Sequence, residues 1–124
     1  MIIGLGSDLC NIERIQASLD RFGTRFETRV FTAAEQAKAA RRPMTKAGTL
    51  AKRFAAKEAL IKALGDSTGV SWHDMRVVNN ELGNPSFELH HSTHAIAHAR
   101  GITAIHLSMS HDAGIAIAYV VAES

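Results

Sequence analysis

Glu58 sits among the wrong neighbours. In "RFAAKEALIKAL" (53–64), read as a helix at 100° per residue, it falls about 40° from Phe54, within the apolar arc that Leu50, Phe54 and Ile61 mark out. A carboxylate on such a face must be paired, hydrogen-bonded or bound to a cation. Lys62, at i+4, is the simplest partner. A second carboxylate, Asp8, closes the opening stretch "MIIGLGSDL", whose Gly4 and Gly6 let another backbone or a ligand come close. Taken alone, Asp8 reads better as a capping residue ahead of Asn11. If Asp8 and Glu58 converge, they suit Mg²⁺, which takes hard oxygen ligands and rarely a full protein cage. At this level the ion pair and the metal site both stay open.

Cations crowd the same segment. Arg53, Lys57 and Lys62 flank Glu58, and beside a divalent ion they would neutralise phosphate oxygens that the metal does not reach. Their ordinary reading is a solvated rim, next to an arc of Lys52, Ala56, Ala59 and Ala63 small enough to pack on another helix or subunit. Arg14, Arg21 and Arg25, spaced i, i+7, i+11, fall within about 40° on one helix face if that helix continues through Gly23. Such a line docks an acidic helical partner when it is not simply solvated. With one Trp and one Tyr, stacking residues are too sparse for the stripe to bind nucleic acid.

"SMSHD" (108–112) groups Ser, His and Asp, but strand neighbours point to opposite faces and no G-x-S-x-G elbow is present. Ser110 and His111 therefore fit phosphate or substrate contact better than a hydrolytic triad. His91, His94 and His98 have helical spacing but lack H-E-x-x-H and a second cysteine, so zinc is not expected.

These side chains need elements to hold them. "MIIGLGSDL" predicts a strand, followed by an Asn11-capped helix with Ile12, Ile15, Leu19, Phe22 and Phe26 on one side. "TAAE" (32–35) is a capping box opening a second helix that ends before Pro43. The strongest helix runs from Ala47 to Leu64 and stops at Gly65. "MRVVNN" and "SFELH" around the turn "ELGNP" predict a hairpin, and Ser92 is expected to cap a short helix ending at Gly101. "TAIHLSMSH" alternates Ile105, Leu107 and Met109 against His106, Ser108 and Ser110. "GIAIAYVVA" (114–122), apolar throughout, predicts a central strand covered on both sides. The class is α+β: an antiparallel sheet with helices packed on it, expected as a single domain over residues 1–124.

Composition narrows the setting. A net charge of +2, from 14 basic and 12 acidic residues, is too small to argue for nucleic acid. Cys10 is the only cysteine, so no internal disulfide forms and a reducing compartment fits. No stretch approaches the ~20 apolar residues of a membrane span, and the start carries no basic leader. The expectation is a soluble cytoplasmic protein acting neither on nucleic acid nor in a membrane.

Three motifs resemble those of the holo-[acyl-carrier-protein] synthases, the small 4′-phosphopantetheinyl transferases: "IGLGSDLCNIERI", "RFAAKEALIKAL" and "IHLSMSHDAGIAIAYVVA". They stand in the family's order and separation, with "FTAAE" and "ELGNP" fitting its second helix and hairpin. The resemblance spans the chain. It implies transfer of the 4′-phosphopantetheine arm of coenzyme A to a serine of apo-acyl carrier protein, releasing adenosine 3′,5′-bisphosphate, in fatty acid biosynthesis. By the same resemblance Asp8 and Glu58 are the Mg²⁺ ligands, and Glu58, Lys62 and His111 the catalytic set. Arg53, Lys57, Lys62, Ser110 and His111 would hold coenzyme A, with Ser110 and His111 supplied by a neighbouring subunit of a homotrimer. Arg14, Arg21 and Arg25 would dock the carrier protein. Asn84 stands where lysine is frequent in the family, and "GDSTG" (65–69) is a variant loop. The acceptor of the serine proton stays open among Glu58, Asp112 and a water at the metal. A non-catalytic module binding an acidic protein or nucleic acid through the arginine stripe, and a metal-dependent phosphohydrolase using Asp8 and Glu58, are the competing readings of the same residues.

Overall fold

The computed structural model describes all 124 residues. Strand β1 (Ile2–Asn11) leads into helices α1 (Ile12–Phe22), α2 (Thr24–Val30) and α3 (Ala33–Ala40), and then the long α4 (Lys46–Leu64). The second half holds the hairpin β2 (Met75–Asn79) and β3 (Pro85–Leu89), helix α5 (His91–Ala99), and strands β4 (Ala104–Asp112) and β5 (Ile115–Glu123). β1, β5 and β4 form an antiparallel sheet in that order, so β5 is central, as its apolar run predicts. The architecture is the α+β class read from the sequence.

Packing of α4 on β1 sets the geometry. A Cβ on Gly6 would lie 1.8 Å from the Ala59 carbonyl oxygen, and one on Gly4 1.9 Å from that of Ala63. The helix backbone therefore rests directly on the strand, with Ala59 and Ala63 as its only spacers, both buried. This corrects the alanine arc in part: Ala59 and Ala63 face the sheet, whose Ala116, Ala118, Val120 and Ala122 are fully buried, while Lys52 lines a cavity. Leu50, Leu60, Leu64, Phe31 and Met75 complete the core around it. The Phe54–Ile61 side is only partly buried, with Phe54 stacked on Trp72 at 5.6 Å.

The far side of the sheet is bare. Leu5 and Leu9 on β1 are 67% and 66% exposed, and Tyr119 on β5 is 51% exposed. β5 is thus central within its sheet, and within one chain it is covered on one face.

Asn11 caps α1 through a 2.9 Å bond from the Glu13 amide, and Thr32 and Glu35 form the reciprocal capping box of α3. Two boundaries differ from expectation. Gly23, at φ 57° and ψ −132°, ends α1, leaving Phe22 47% exposed and placing Arg25 on a separate helix. Ser92 does not cap α5; its hydroxyl donates to the Gly69 carbonyl at 2.7 Å and to Asp74 at 3.2 Å, while His90 occupies the cap position. No helix is long and apolar enough to cross a membrane.

Because Gly6 has a backbone oxygen where a side chain would go, Gly6→Ala is expected to cost at least about 3 kcal/mol, measured by urea denaturation. Gly48→Ala, where the new methyl meets only Ile12 Cδ1 at an ordinary 3.8 Å, serves as the comparison without a clash.

Candidate active site

Asp8, near the end of β1, and Glu58 and Lys62, successive turns of α4, meet at the outer edge of β1. Lys62 Nζ donates to the Ser7 carbonyl at 2.8 Å and reaches Asp8 Oδ1 at 3.3 Å. The i,i+4 pair of Glu58 with Lys62 does not form; none of the chain's ion pairs includes Glu58. Burial pushes the Glu58 carboxyl above its ordinary value, the charge of Asp8 adds to this, and Lys62 opposes it. Two carboxylates thus repel each other across a gap with one lysine on its rim. No third His, Cys, Asp or Glu joins them in a metal-binding group. That donor set fits a hard cation which keeps water and phosphate oxygens as its other ligands, as Mg²⁺ does. Cys10, next to the pair, has its thiol pushed up to about 11 by burial and by Asp8, so it stays protonated and takes no part.

The other flank of α4 is cationic. Lys38, Arg41 and Arg42, from α3 and the turn after it, join Lys52 and Arg53 of α4 and Asn79 and Pro85 of the hairpin around a cavity of about 400 Å³ that no acidic side chain lines. Arg53 is 2% exposed, donates to Asn79 Oδ1 at 2.9 Å and to the Thr49 carbonyl at 3.2 Å, and leaves its Nε without a partner. Burial lowers the pKa of Lys52, and the charges of Arg53 and Lys38 lower it further. Mutually repelling cations around a polar cavity constitute an anion site. Of these, sequence reasoning singled out only Arg53. Lys38, Arg41, Arg42 and Lys52 lie outside any motif, and only folding gathers them.

Lys57 does not belong to that cavity, which corrects its assignment to coenzyme A. It is fully buried, and its three N–H donors go to Glu35 Oε1 at 2.7 Å, the Val30 carbonyl at 2.8 Å and the Trp72 carbonyl at 3.1 Å. An ammonium so enclosed has no donor left for a phosphate. Burial lowers its pKa, and Glu35 opposes the shift.

Ser110 and His111 occupy consecutive positions of β4, opposite Ile117 and Ala116 of β5, and so point to opposite faces. His111 is on the helix side, lining a cavity of about 560 Å³ with Glu13, Thr45, Gly48 and Lys52. Ser110 is exposed on the bare face and does not join it within one chain.

Arg53 and Lys62, nine residues apart, project about 180° apart around α4 and about 13 Å apart along it. One chain therefore cannot bring the carboxylate edge and the cationic cavity to the same phosphate. On the third candidate surface, Arg14 and Arg21 share a face of α1, and the Arg21 guanidinium lies 5.0 Å over the ring of Phe22. Arg25 stands beyond the break at Gly23, around an open hollow with Phe22, Phe26 and Arg29, so the arginines form a bent patch rather than a straight line.

A model described as the 4′-phosphopantetheinyl transferase superfamily matches residues 4–120. The chain belongs to that family. Holo-[acyl-carrier-protein] synthases of Sphingopyxis alaskensis and Erythrobacter litoralis are 58% and 55% identical to it, over all of this chain and 98% of each of theirs. The crystal structure of the Neisseria meningitidis holo-[acyl-carrier-protein] synthase superposes with a TM-score of 0.92 at 34% identity, covering both chains fully. The Bacillus anthracis synthase, solved in complex with CoA (3′,5′-ADP), superposes with a TM-score of 0.83 at 34% identity over all of this chain and 98% of that one.

Since the raised Glu58 carboxyl holds its proton to higher pH in the folded transferase than in the unfolded chain, its ionised form costs stability at neutral pH. That cost vanishes as pH falls below the ordinary value of 4.5. Glu58→Gln is expected to raise the thermal midpoint by a few degrees at about pH 7 in metal-free buffer, and to leave it unchanged at about pH 4.

Proposed function

We infer that this enzyme transfers the 4′-phosphopantetheine arm of coenzyme A to a serine of apo-acyl carrier protein, as holo-[acyl-carrier-protein] synthases do. The chain matches synthases of that name along its whole length. The observation that carries the reading to particular residues is the pairing of a carboxylate edge with an acid-free cationic cavity on the two flanks of one helix.

The serine hydroxyl gives up its proton to a base (Glu58, Asp112 or a water), its oxygen forms a bond to the phosphorus that bears pantetheine, and the bridging P–O bond of the pyrophosphate breaks. Adenosine 3′,5′-bisphosphate departs with that bond's electron pair. Charge grows on the leaving phosphate, so fixed cations contribute most of what the protein supplies. Arg53, Lys38, Arg41, Arg42 and Lys52, which line the acid-free cavity, hold the phosphates of coenzyme A. His111, from the adjoining cavity, lies toward the same substrate, and Ser110 contacts it only from another subunit. Lys62 neutralises phosphate oxygen at the carboxylate edge. Asp8 and Glu58 are the residues that would hold Mg²⁺. Bound there, the ion supplies Lewis-acid neutralisation of the pyrophosphate. Arg14, Arg21 and Arg25 receive the acidic surface of the carrier, which α1 delivers next to Asp8 because it starts where β1 ends.

The opposed directions of Arg53 and Lys62 support a site completed between copies of the chain, and the bare sheet face of Leu5, Leu9 and Tyr119 is apolar surface a second copy would cover. We take the assembly to be a homotrimer of single transferase domains, residues 1–124, working in the cytoplasm.

Incubation with coenzyme A, Mg²⁺ and apo-carrier protein is expected to add one phosphopantetheine mass to the carrier, seen by intact-mass spectrometry, and Glu58→Gln to abolish the gain. Release of phosphate without a carrier would instead identify a phosphohydrolase. Shared sites also predict complementation: Glu58→Gln and Arg53→Gln, each inactive alone, regain about a quarter of wild-type activity when unfolded together and refolded as mixed trimers. Sites lying within one chain would regain none.

A further inference from the structure

Glu35 enters the sequence only as the third residue of a capping box, yet its carboxylate is tied to three separate elements. Oε1 accepts from its own cap, the Thr32 amide at 2.8 Å, and from Lys57 Nζ at 2.7 Å. Oε2 accepts from the Val77 amide of β2 at 2.9 Å. Glu35 is 2% exposed, and Lys57 is fully buried.

Each of these contacts stands next to a wall of the cationic cavity. Glu35 is one turn before Lys38 on α3, Lys57 is one turn after Arg53 on α4, and Val77 is two residues before Asn79 on the same strand face. Arg53 and Asn79 are themselves joined at 2.9 Å. A single carboxylate therefore fixes the mutual placement of α3, α4 and β2, the elements that supply most of the cavity's donors. Neutral apolar replacements of a buried ion pair commonly match it in stability, so its best-attested use is to specify one arrangement over others. Here the cations of α3, the turn after it and α4 repel one another, and without a fixed spacing they would spread apart.

We propose that Glu35, acting through Lys57 and the Val77 amide, is a positioning residue that sets the spacing of Lys38, Arg53 and Asn79 to fit a pyrophosphate- or phosphate-bearing substrate. For coenzyme A as that substrate, the proposal rests on the transferase reading above.

The test is the double variant Glu35→Gln with Lys57→Met, which removes both charges and keeps the volume. A loss of folded enzyme lowers kcat and leaves both KM values alone, whereas a displaced cavity weakens one substrate. The expected result is a cooperatively folded variant with KM for coenzyme A raised about tenfold, KM for the carrier unchanged, and affinity for inorganic pyrophosphate, measured calorimetrically, reduced about tenfold. Unchanged pyrophosphate affinity in the folded variant overturns the proposal, as does an equal rise in both KM values. If the double variant does not fold, Glu35→Asp, which keeps the charge and withdraws the carboxylate by one methylene, must show the same selective loss of pyrophosphate binding, and its absence overturns the proposal. If the wild-type protein modifies no carrier, the transferase reading fails, and the pyrophosphate titration still decides the role of Glu35.

Discussion

Everything in this molecule is referred to one contact, the backbone of α4 lying on the glycines of β1. At Gly4 and Gly6 the helix carbonyls occupy the space a Cβ would need, so helix and strand have one axial register and one rotation. The rotation decides the chemistry. With Ala59 and Ala63 turned down onto the strand, Glu58 and Lys62 come out over its free edge beside Asp8, and Arg53 and Lys57 come out on the side of α3 and the hairpin. A helix turned by one residue would scatter both sets.

The two flanks solve opposite electrostatic problems. On one, two carboxylates face each other with a half-exposed lysine at their rim; burial, with the charge of Asp8, raises the Glu58 pKa against Lys62 and costs the folded chain stability. On the other, five cations line a cavity with no acid among its walls, while one further cation, Lys57, is sealed beneath it against Glu35. Both surfaces hold like charge in place, and both call for a ligand of the other sign: a divalent cation on the first, phosphate oxygens on the second. A substrate carrying a pyrophosphate, taken up with a metal ion, meets both demands at once. The flanks face apart, so a single chain does not turn both toward one phosphate. Strain of this kind at a functional surface is the usual exchange of stability for activity.

Much of the fold follows from short-range pattern. The capping box at Thr32, the cap at Asn11, the stop at Gly65 and the alternation along β4 were all readable, because each is decided by neighbours within a few residues. Ser92 looked like a cap and is not one, since Gly69 and Asp74, both distant in sequence, compete for its hydroxyl. The arginine spacing makes a straight stripe only if α1 passes through Gly23; the glycine takes a positive φ and bends it. Lys57 shows the limit most plainly. Nothing in "RFAAKEALIKAL" distinguishes a lysine that meets phosphate from one that meets a buried glutamate 22 residues earlier.

The sequence by itself determined the α+β class, the long helix and the family motifs, because periodicity and local capping act along the chain. Tertiary structure alone decided which face of α4 is the core, since the glycines that admit it lie some 50 residues away. It alone gathered Lys38, Arg41, Arg42 and Lys52 around Arg53, withdrew Lys57 from them, and left one face of the sheet uncovered. Those outcomes depend on which distant backbones approach closely enough to exclude a side chain, and that is a property of packing, not of spacing.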